Sequence, residues 1–214
     1  ARTNFLATNP DALENAMETE GQSLVDGLEN LISDLEANNG ELVVRLADET
    51  AFKLGGNIAT TPGDVVYRNN MMELIQYKPV TDKVHDIPLI IFPPWINKFY
   101  ILDLKEQNSF IRFAVSQGFT VFVVSWVNPD ETYKDVGIED YVKEGVYAAV
   151  DAALEITGNK RVNAIGYCIG GTLLTIALAD MAQKGDDRIK SATYFTALTD
   201  FEEAGELGVF IDED

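Results

Sequence analysis

The chain has one cysteine, and it stands in Gly166-Tyr167-Cys168-Ile169-Gly170-Gly171-Thr172. Before it, Arg161-Val162-Asn163-Ala164-Ile165 has the apolar content of a short buried strand; after it, Leu173 to Met181 reads as a helix. A strand, a G-x-C-x-G turn and a helix in that order make a nucleophile elbow, which exposes its central side chain at the top of a parallel sheet. Gly166 and Gly170 belong there because the turn is strained and its backbone approaches neighbouring elements closely. A lone cysteine is most often inert packing. Strand, glycines and helix together point instead to covalent acyl transfer on the thiol.

The elements that must position this thiol can be read in order. Up to about Thr61 the pattern is helical. Asn9-Pro10 is an N-cap and first-turn pair, and Leu13, Met17, Leu24, Leu28, Leu31 and Leu35 recur at helical spacing in one helix ended by Asn38-Asn39-Gly40. From Pro62 the rhythm changes. Asp64–Arg68 and Met72–Tyr77 read as a hairpin around Asn69-Asn70. Ile87–Phe92 is a strand buried on both faces, ended by Pro93-Pro94. A helix to Gln117, a strand from Phe119 to Trp126 and a helix from Ile138 to Ile156 precede the elbow strand, and Ser191–Leu198 gives one more strand. Two antiparallel strands followed by βαβ units are the α/β-hydrolase pattern, a mostly parallel sheet with the nucleophile after the fifth strand. We therefore expect a helical region over 1–61 and the first half of an α/β-hydrolase domain over 62–214. In that fold the oxyanion is held by the N–H of the residue after the nucleophile, Ile169, and by one N–H from the loop after the third strand. Pro93 and Pro94 have no N–H, so Ile96 is chosen, narrowly over Trp95.

Composition bounds the partners. The net charge is −19 and sits at the ends: residues 1–50 carry eleven acids against Arg2 and Arg45, and residues 200–214 carry seven acids and no base. No basic stripe offers itself to phosphates, so nucleic acid is not an expected partner. One histidine leaves no His/Cys metal cluster. A single cysteine agrees with a reducing cytosol, no apolar run reaches membrane-spanning length, and Ala1–Asn9 lacks the pattern of a secretory signal.

Four blocks resemble the poly(3-hydroxyalkanoate) synthases. They are Pro93-Pro94-Trp95-Ile96-Asn97-Lys98-Phe99-Tyr100-Ile101-Leu102-Asp103-Leu104, Val124-Ser125-Trp126-Val127-Asn128-Pro129-Asp130, the elbow itself, and Thr196-Ala197-Leu198-Thr199-Asp200-Phe201. The resemblance spans essentially the whole chain, and the helical lead-in is similar to that of single-chain synthases with short-chain substrates. It implies an acyltransferase that polymerises 3-hydroxyacyl-CoA, such as 3-hydroxybutyryl-CoA, through a Cys168 thioester, with no cofactor. It further implies cytoplasmic work at the polyester granule and a homodimer. The chemistry agrees: a thiolate exchanging one thioester for another is nearly balanced, and the acyl-enzyme remains a good donor to a hydroxyl. A helix starting at Ile169 aims its positive end at the sulfur and favours the thiolate. A thioesterase or esterase of the same fold, and a non-catalytic granule-associated module, are the alternatives.

The triad departs from the pattern. His85, the single histidine, lies upstream of the third strand and is not expected to be the base. Asp200 follows the strand after the elbow but precedes the position where the synthases carry their acid. The expectation is a fragment without acid, base or cap, inactive alone, with an unpaired sheet edge inviting association.

Overall fold

The computed structural model describes residues 9–48, 50–202 and 205, and divides into two units, Ala1–Phe52 and Lys53–Asp214. In the first, Asn9 caps helix α1 (Pro10–Glu18). Its side-chain oxygen accepts from the N–H groups of Asp11 (3.1 Å) and Ala12 (3.4 Å), donors that a helix start leaves without carbonyl partners. The single helix expected up to Asn38 is two. Glu20 and Gly21 turn to φ +52° and +89°, and α2 (Gln22–Ala37) begins afresh. Glycine adopts that backbone without the steric cost of a Cβ, so one apolar stripe is carried on two helices. Its Leu13, Met17, Leu24 and Leu28 are exposed. Asp34 of α2 is buried and held by Arg45, whose Nε lies 2.9 Å from its carboxylate.

The second unit is built on a six-stranded sheet in the order β1-β2-β4-β3-β5-β6. Its strands are β1 (Gly63–Arg68), β2 (Met72–Tyr77), β3 (Leu89–Phe92), β4 (Val121–Trp126), β5 (Val162–Tyr167) and β6 (Ile189–Phe195). β1 and β2 form the expected antiparallel hairpin, β2 runs antiparallel to β4, and the remaining pairings are parallel. Alternation along β3 explains how both faces are covered. Ile90 and Phe92 join one apolar layer with residues of the long helices preceding and following β5, while Leu89 and Ile91 join the opposite layer with α3 (Phe110–Ser116). Neighbouring residues of a strand point to opposite faces, so an all-apolar Leu-Ile-Ile-Phe run requires cover on both. Each fully buried Ile or Phe contributes about 1.5–3 kcal/mol.

Residues 53–61 are bonded within this unit. Ala59 donates its N–H to the Asp103 carbonyl at 2.9 Å, ahead of the change of rhythm at Pro62.

The helix expected from Ile138 to Ile156 is present in three pieces: α4 (Ile138–Asp140), a π-helical stretch (Tyr141–Tyr147) and α5 (Ala148–Thr157), stopped by Gly158 at φ +69°. Within the π-helical stretch Gly145 lies against Trp126, where a Cβ would come within 2.5 Å of two indole carbons. α6 (Ile169–Lys184) follows β5. β6 ends at Phe195, short of the expected Leu198, because Thr196 turns to φ +47°. It is the last strand of the sheet among the described residues, and no helix among them is long and apolar enough to cross a membrane.

Candidate active site

β5 delivers the chain to Cys168 and α6 leaves from Ile169, so the cysteine occupies the turn between them. Its backbone is at φ +54°, ψ −127°. Such a conformation costs a non-glycine residue about 1–3 kcal/mol and persists only where its surroundings impose it. Here they do so through three bonds. Cys168 N–H donates to the Phe195 carbonyl (2.9 Å), and the Cys168 carbonyl accepts from the N–H groups of Gly171 (2.8 Å) and Thr172 (3.3 Å). The side chain is left half-buried at the carboxyl ends of β3, β5 and β6.

The glycines mark where backbone meets backbone. A Cβ on Gly166 would lie 2.4 Å from Gly171 Cα, and one on Gly170 would lie 2.1 Å from the Phe92 carbonyl oxygen and 2.8 Å from that of Pro93. The first turn of α6 is therefore pressed onto the end of β3, bringing the two proposed sources of oxyanion donors side by side. Ile169 N–H opens α6, where the helix supplies no carbonyl for it, and has no acceptor among the described residues. In the loop after β3, Asn97 N–H donates to the Pro94 carbonyl (3.2 Å). The N–H groups of Trp95 and Ile96 have no acceptor among the described residues. Ile96 is 73% exposed, whereas the Trp95 ring packs against Trp126 and Tyr141.

His85 and Asp200 are elsewhere. His85 precedes β3, at the amino ends of the parallel strands, with Nε2 3.0 Å from the Gln117 carbonyl and its ring 4.7 Å from that of Phe119. Asp200 accepts from the Glu202 N–H at 2.9 Å in a local turn. Neither is hydrogen-bonded to Cys168.

A family model described as Poly-beta-hydroxybutyrate polymerase (PhaC) N-terminus matches residues 1–114. The chain belongs to this polymerase family. A model of the alpha/beta hydrolase fold matches residues 88–213. The poly(3-hydroxyalkanoate) polymerase of Methylorubrum extorquens is 53% identical over 211 residues, covering 99% of this chain and 35% of its own length. A polymerase subunit of Rhizobium meliloti (strain 1021) is 49% identical over 212 residues, with coverage of 99% and 35%. The chain thus spans about a third of the length of these curated relatives. Among solved structures, a fungal esterase of Rhizomucor miehei superposes on 75% of this chain and 51% of its own with a TM-score of 0.50 and 18% identity, a likeness of fold.

Two features of this polymerase-family chain escaped the sequence reading. Asp103 is 1% exposed, and its carboxylate accepts from Thr61 N–H (3.2 Å), Thr61 Oγ1 (2.7 Å) and Ser109 Oγ (2.5 Å). Ser109 in turn caps α3 by accepting from Arg112 N–H (2.9 Å). The signal was available: an acid inside the apolar run Ile101-Leu102-Asp103-Leu104 must be bonded if it is buried. Close by, the Tyr77 hydroxyl is buried without a hydrogen-bond partner among the described residues, and burial, then the charge of Asp103, push its ionisation well above the ordinary 10.0. The second feature is Trp126, whose indole N–H donates to the Pro93 carbonyl at 2.7 Å.

Proposed function

We propose that this chain carries the nucleophile-bearing part of an acyltransferase that polymerises 3-hydroxyacyl-CoA, with Cys168 as the acyl acceptor. The observation that carries the reading is a thiol at a strained strand-to-helix turn, above the carboxyl ends of the parallel strands of a mixed sheet, in a chain of this polymerase family. The Cys168 sulfur bonds to the thioester carbonyl carbon, the carbon–sulfur bond to coenzyme A breaks, and the thiol proton ends on the departing coenzyme A. A 3-hydroxyl of another unit then attacks the Cys168 thioester. An oxygen ester forms and the thiol is restored. The Ile169 N–H and an N–H of Trp95 or Ile96, with Ile96 preferred, stabilise the oxyanion in both steps.

The chemistry as written needs no cofactor. The hydroxyacyl group is taken as short-chain, as 3-hydroxybutyryl, and the work as cytoplasmic, at the granule surface and as a homodimer; the family resemblance supports these. With His85 at the far end of the sheet, residues 1–214 alone hold no imidazole beside Cys168, and multiple turnover by them is expected to be negligible.

The test is to supply the full-length protein with 3-hydroxybutyryl-CoA, follow the released thiol, and analyse the product. Polymer formation and thiol release, both lost in Cys168→Ala, are expected. Release that survives Cys168→Ala overturns the nucleophile, and stoichiometric free hydroxyacid in place of polymer makes the protein a thioesterase.

A further inference from the structure

The loop that follows β3 must hold an N–H still while it is pressed against the elbow, and one peptide group does both. The Pro93 carbonyl oxygen lies against the backbone of Gly170, where a Cβ would approach to 2.8 Å. The same oxygen accepts the Trp126 indole N–H at 2.7 Å, in a buried bond. Two residues further on, Trp95 meets the same indole edge-on (ring centroids 6.4 Å apart, 87°) and lies over Tyr141 (4.7 Å, 37°). The base of the loop and one of its donor-bearing residues are therefore both fixed by the side chain of Trp126.

Trp126 reaches this place only because residue 145 has no side chain. A Cβ on Gly145 would fall 2.5 Å from Cη2 and 2.5 Å from Cζ3 of the indole. Gly145 sits within the π-helical stretch, whose Glu144 carbonyl is taken up by the Asn69 side chain at 2.7 Å rather than left unpaired. A π-helical turn is uncommon in a helix and recurs at functional sites. The carboxylate of Asp103 anchors the far end of the same segment, through Thr61 and Ser109. It lies well beyond the donors in sequence, whereas Trp126 holds the peptide immediately before them.

We propose that Trp126, seated against Gly145, is the positioning residue of the oxyanion loop in acyl transfer to Cys168. The inference rests on the reading of Cys168 as acyl acceptor. Trp126 touches no reacting atom; it acts through the Pro93 carbonyl. A peptide displaced by about 1 Å at such a site costs on the order of 100-fold in rate, as does loss of an oxyanion donor.

The test uses the full-length protein and two reactions of the same thiol. Single-turnover release of coenzyme A from 3-hydroxybutyryl-CoA needs the oxyanion donors; alkylation by iodoacetamide forms no oxyanion. In Trp126→Phe, which keeps a ring and removes the N–H, the saturating acylation rate should fall by about 10- to 100-fold. The thioester concentration for half-saturation and the alkylation rate should stay within about twofold of wild type. Gly145→Ala should reproduce the loss, although alanine is the better helix former. In the Trp126→Phe background Gly145→Ala should add little, because the indole carbons it would strike are gone. An independent readout is hydrogen exchange of the Trp126 indole N–H in labelled protein: slow in wild type, faster in Gly145→Ala. Acylation and alkylation falling together, full additivity of the two substitutions, or an indole N–H that exchanges freely in the wild type would each overturn the proposal. Thiol release that persists in Cys168→Ala marks failure of the underlying reading instead.

Discussion

Replacing Gly170 by alanine places a methyl group where the elbow meets the end of β3. The new Cβ would lie 2.1 Å from the Phe92 carbonyl oxygen and 2.8 Å from that of Pro93. Both are backbone atoms of a buried strand and its first loop residue, so neither can swing aside as a flexible side-chain tip would. Restoring an ordinary separation of about 3.5 Å requires displacement on the order of 1 Å of either α6 or the Phe92–Pro93 peptide. That puts the substitution at the upper end of the ~1–3 kcal/mol that overpacking costs. Alanine recovers up to ~1 kcal/mol over glycine in a helix. The net loss is about 2 kcal/mol, which for a unit of this size lowers the thermal midpoint by about 4–8 °C. The same displacement separates Cys168 from the proposed oxyanion donors, so on the proposed mechanism acylation by 3-hydroxybutyryl-CoA should fall by on the order of 100-fold. Thermal denaturation followed by circular dichroism, with single-turnover thiol release, measures both. A midpoint at or above wild type together with an unchanged acylation rate would refute the close approach on which the site is built.

Gly27 is the opposite case: it lies inside α2 with nothing within 4 Å of an added Cβ, so Gly27→Ala should raise the helicity and stability of the first unit by about 0.5–1 kcal/mol. Asp103→Ala strands the Thr61 N–H and two buried hydroxyls, each worth about 1–3 kcal/mol, and urea denaturation should show a loss of about 3 kcal/mol or more. Tyr77→Phe removes a buried hydroxyl that has no partner among the described residues, and should leave stability unchanged or raise it by about 1 kcal/mol. The same tyrosine sets an alkaline slope. Above pH 10 the unfolded chain releases this proton and the folded chain keeps it, because its ionisation is raised by burial. The unfolded state then binds fewer protons, so Tyr77 makes stability fall with rising pH by up to about 1.4 kcal/mol per unit; denaturant titrations at pH 10 to 11 should show a slope that is shallower in Tyr77→Phe than in wild type by about 1 kcal/mol per unit, the remainder belonging to Tyr147 and Tyr141, whose ionisation burial also raises.

The parts legible in the sequence are those fixed by residue type at short range. The elbow could be read because Gly166, Cys168 and Gly170 carry their constraint in their own side chains, and β3 because four apolar residues in a row have to be covered on both faces. The hairpin and the helix stop at Gly158 followed from turn chemistry. The break at Glu20-Gly21 was missed because the apolar spacing runs through it, and Gly21 is tolerable inside a helical pattern. The π-helical stretch was illegible because nothing in the local sequence shows that the indole of Trp126, on β4, comes to lie against residue 145. Asp103 was read as part of a family block and not as a buried charge, since its partners Thr61 and Ser109 lie on either side of it in sequence and meet only in the fold.

The backbone of Cys168 has a bearing on how such a sequence drifts. At φ +54° and ψ −127° a glycine would relieve on the order of 1 kcal/mol of strain that cysteine bears, so the folded state is opposed to the thiol proposed as acyl acceptor. A gene copy released from selection for acyl transfer should therefore accumulate glycine at 168 early, and lose Gly166 or Gly170 late, where any side chain collides with backbone. The order of decay among copies that still fold but no longer react would record which constraint was chemical and which was architectural.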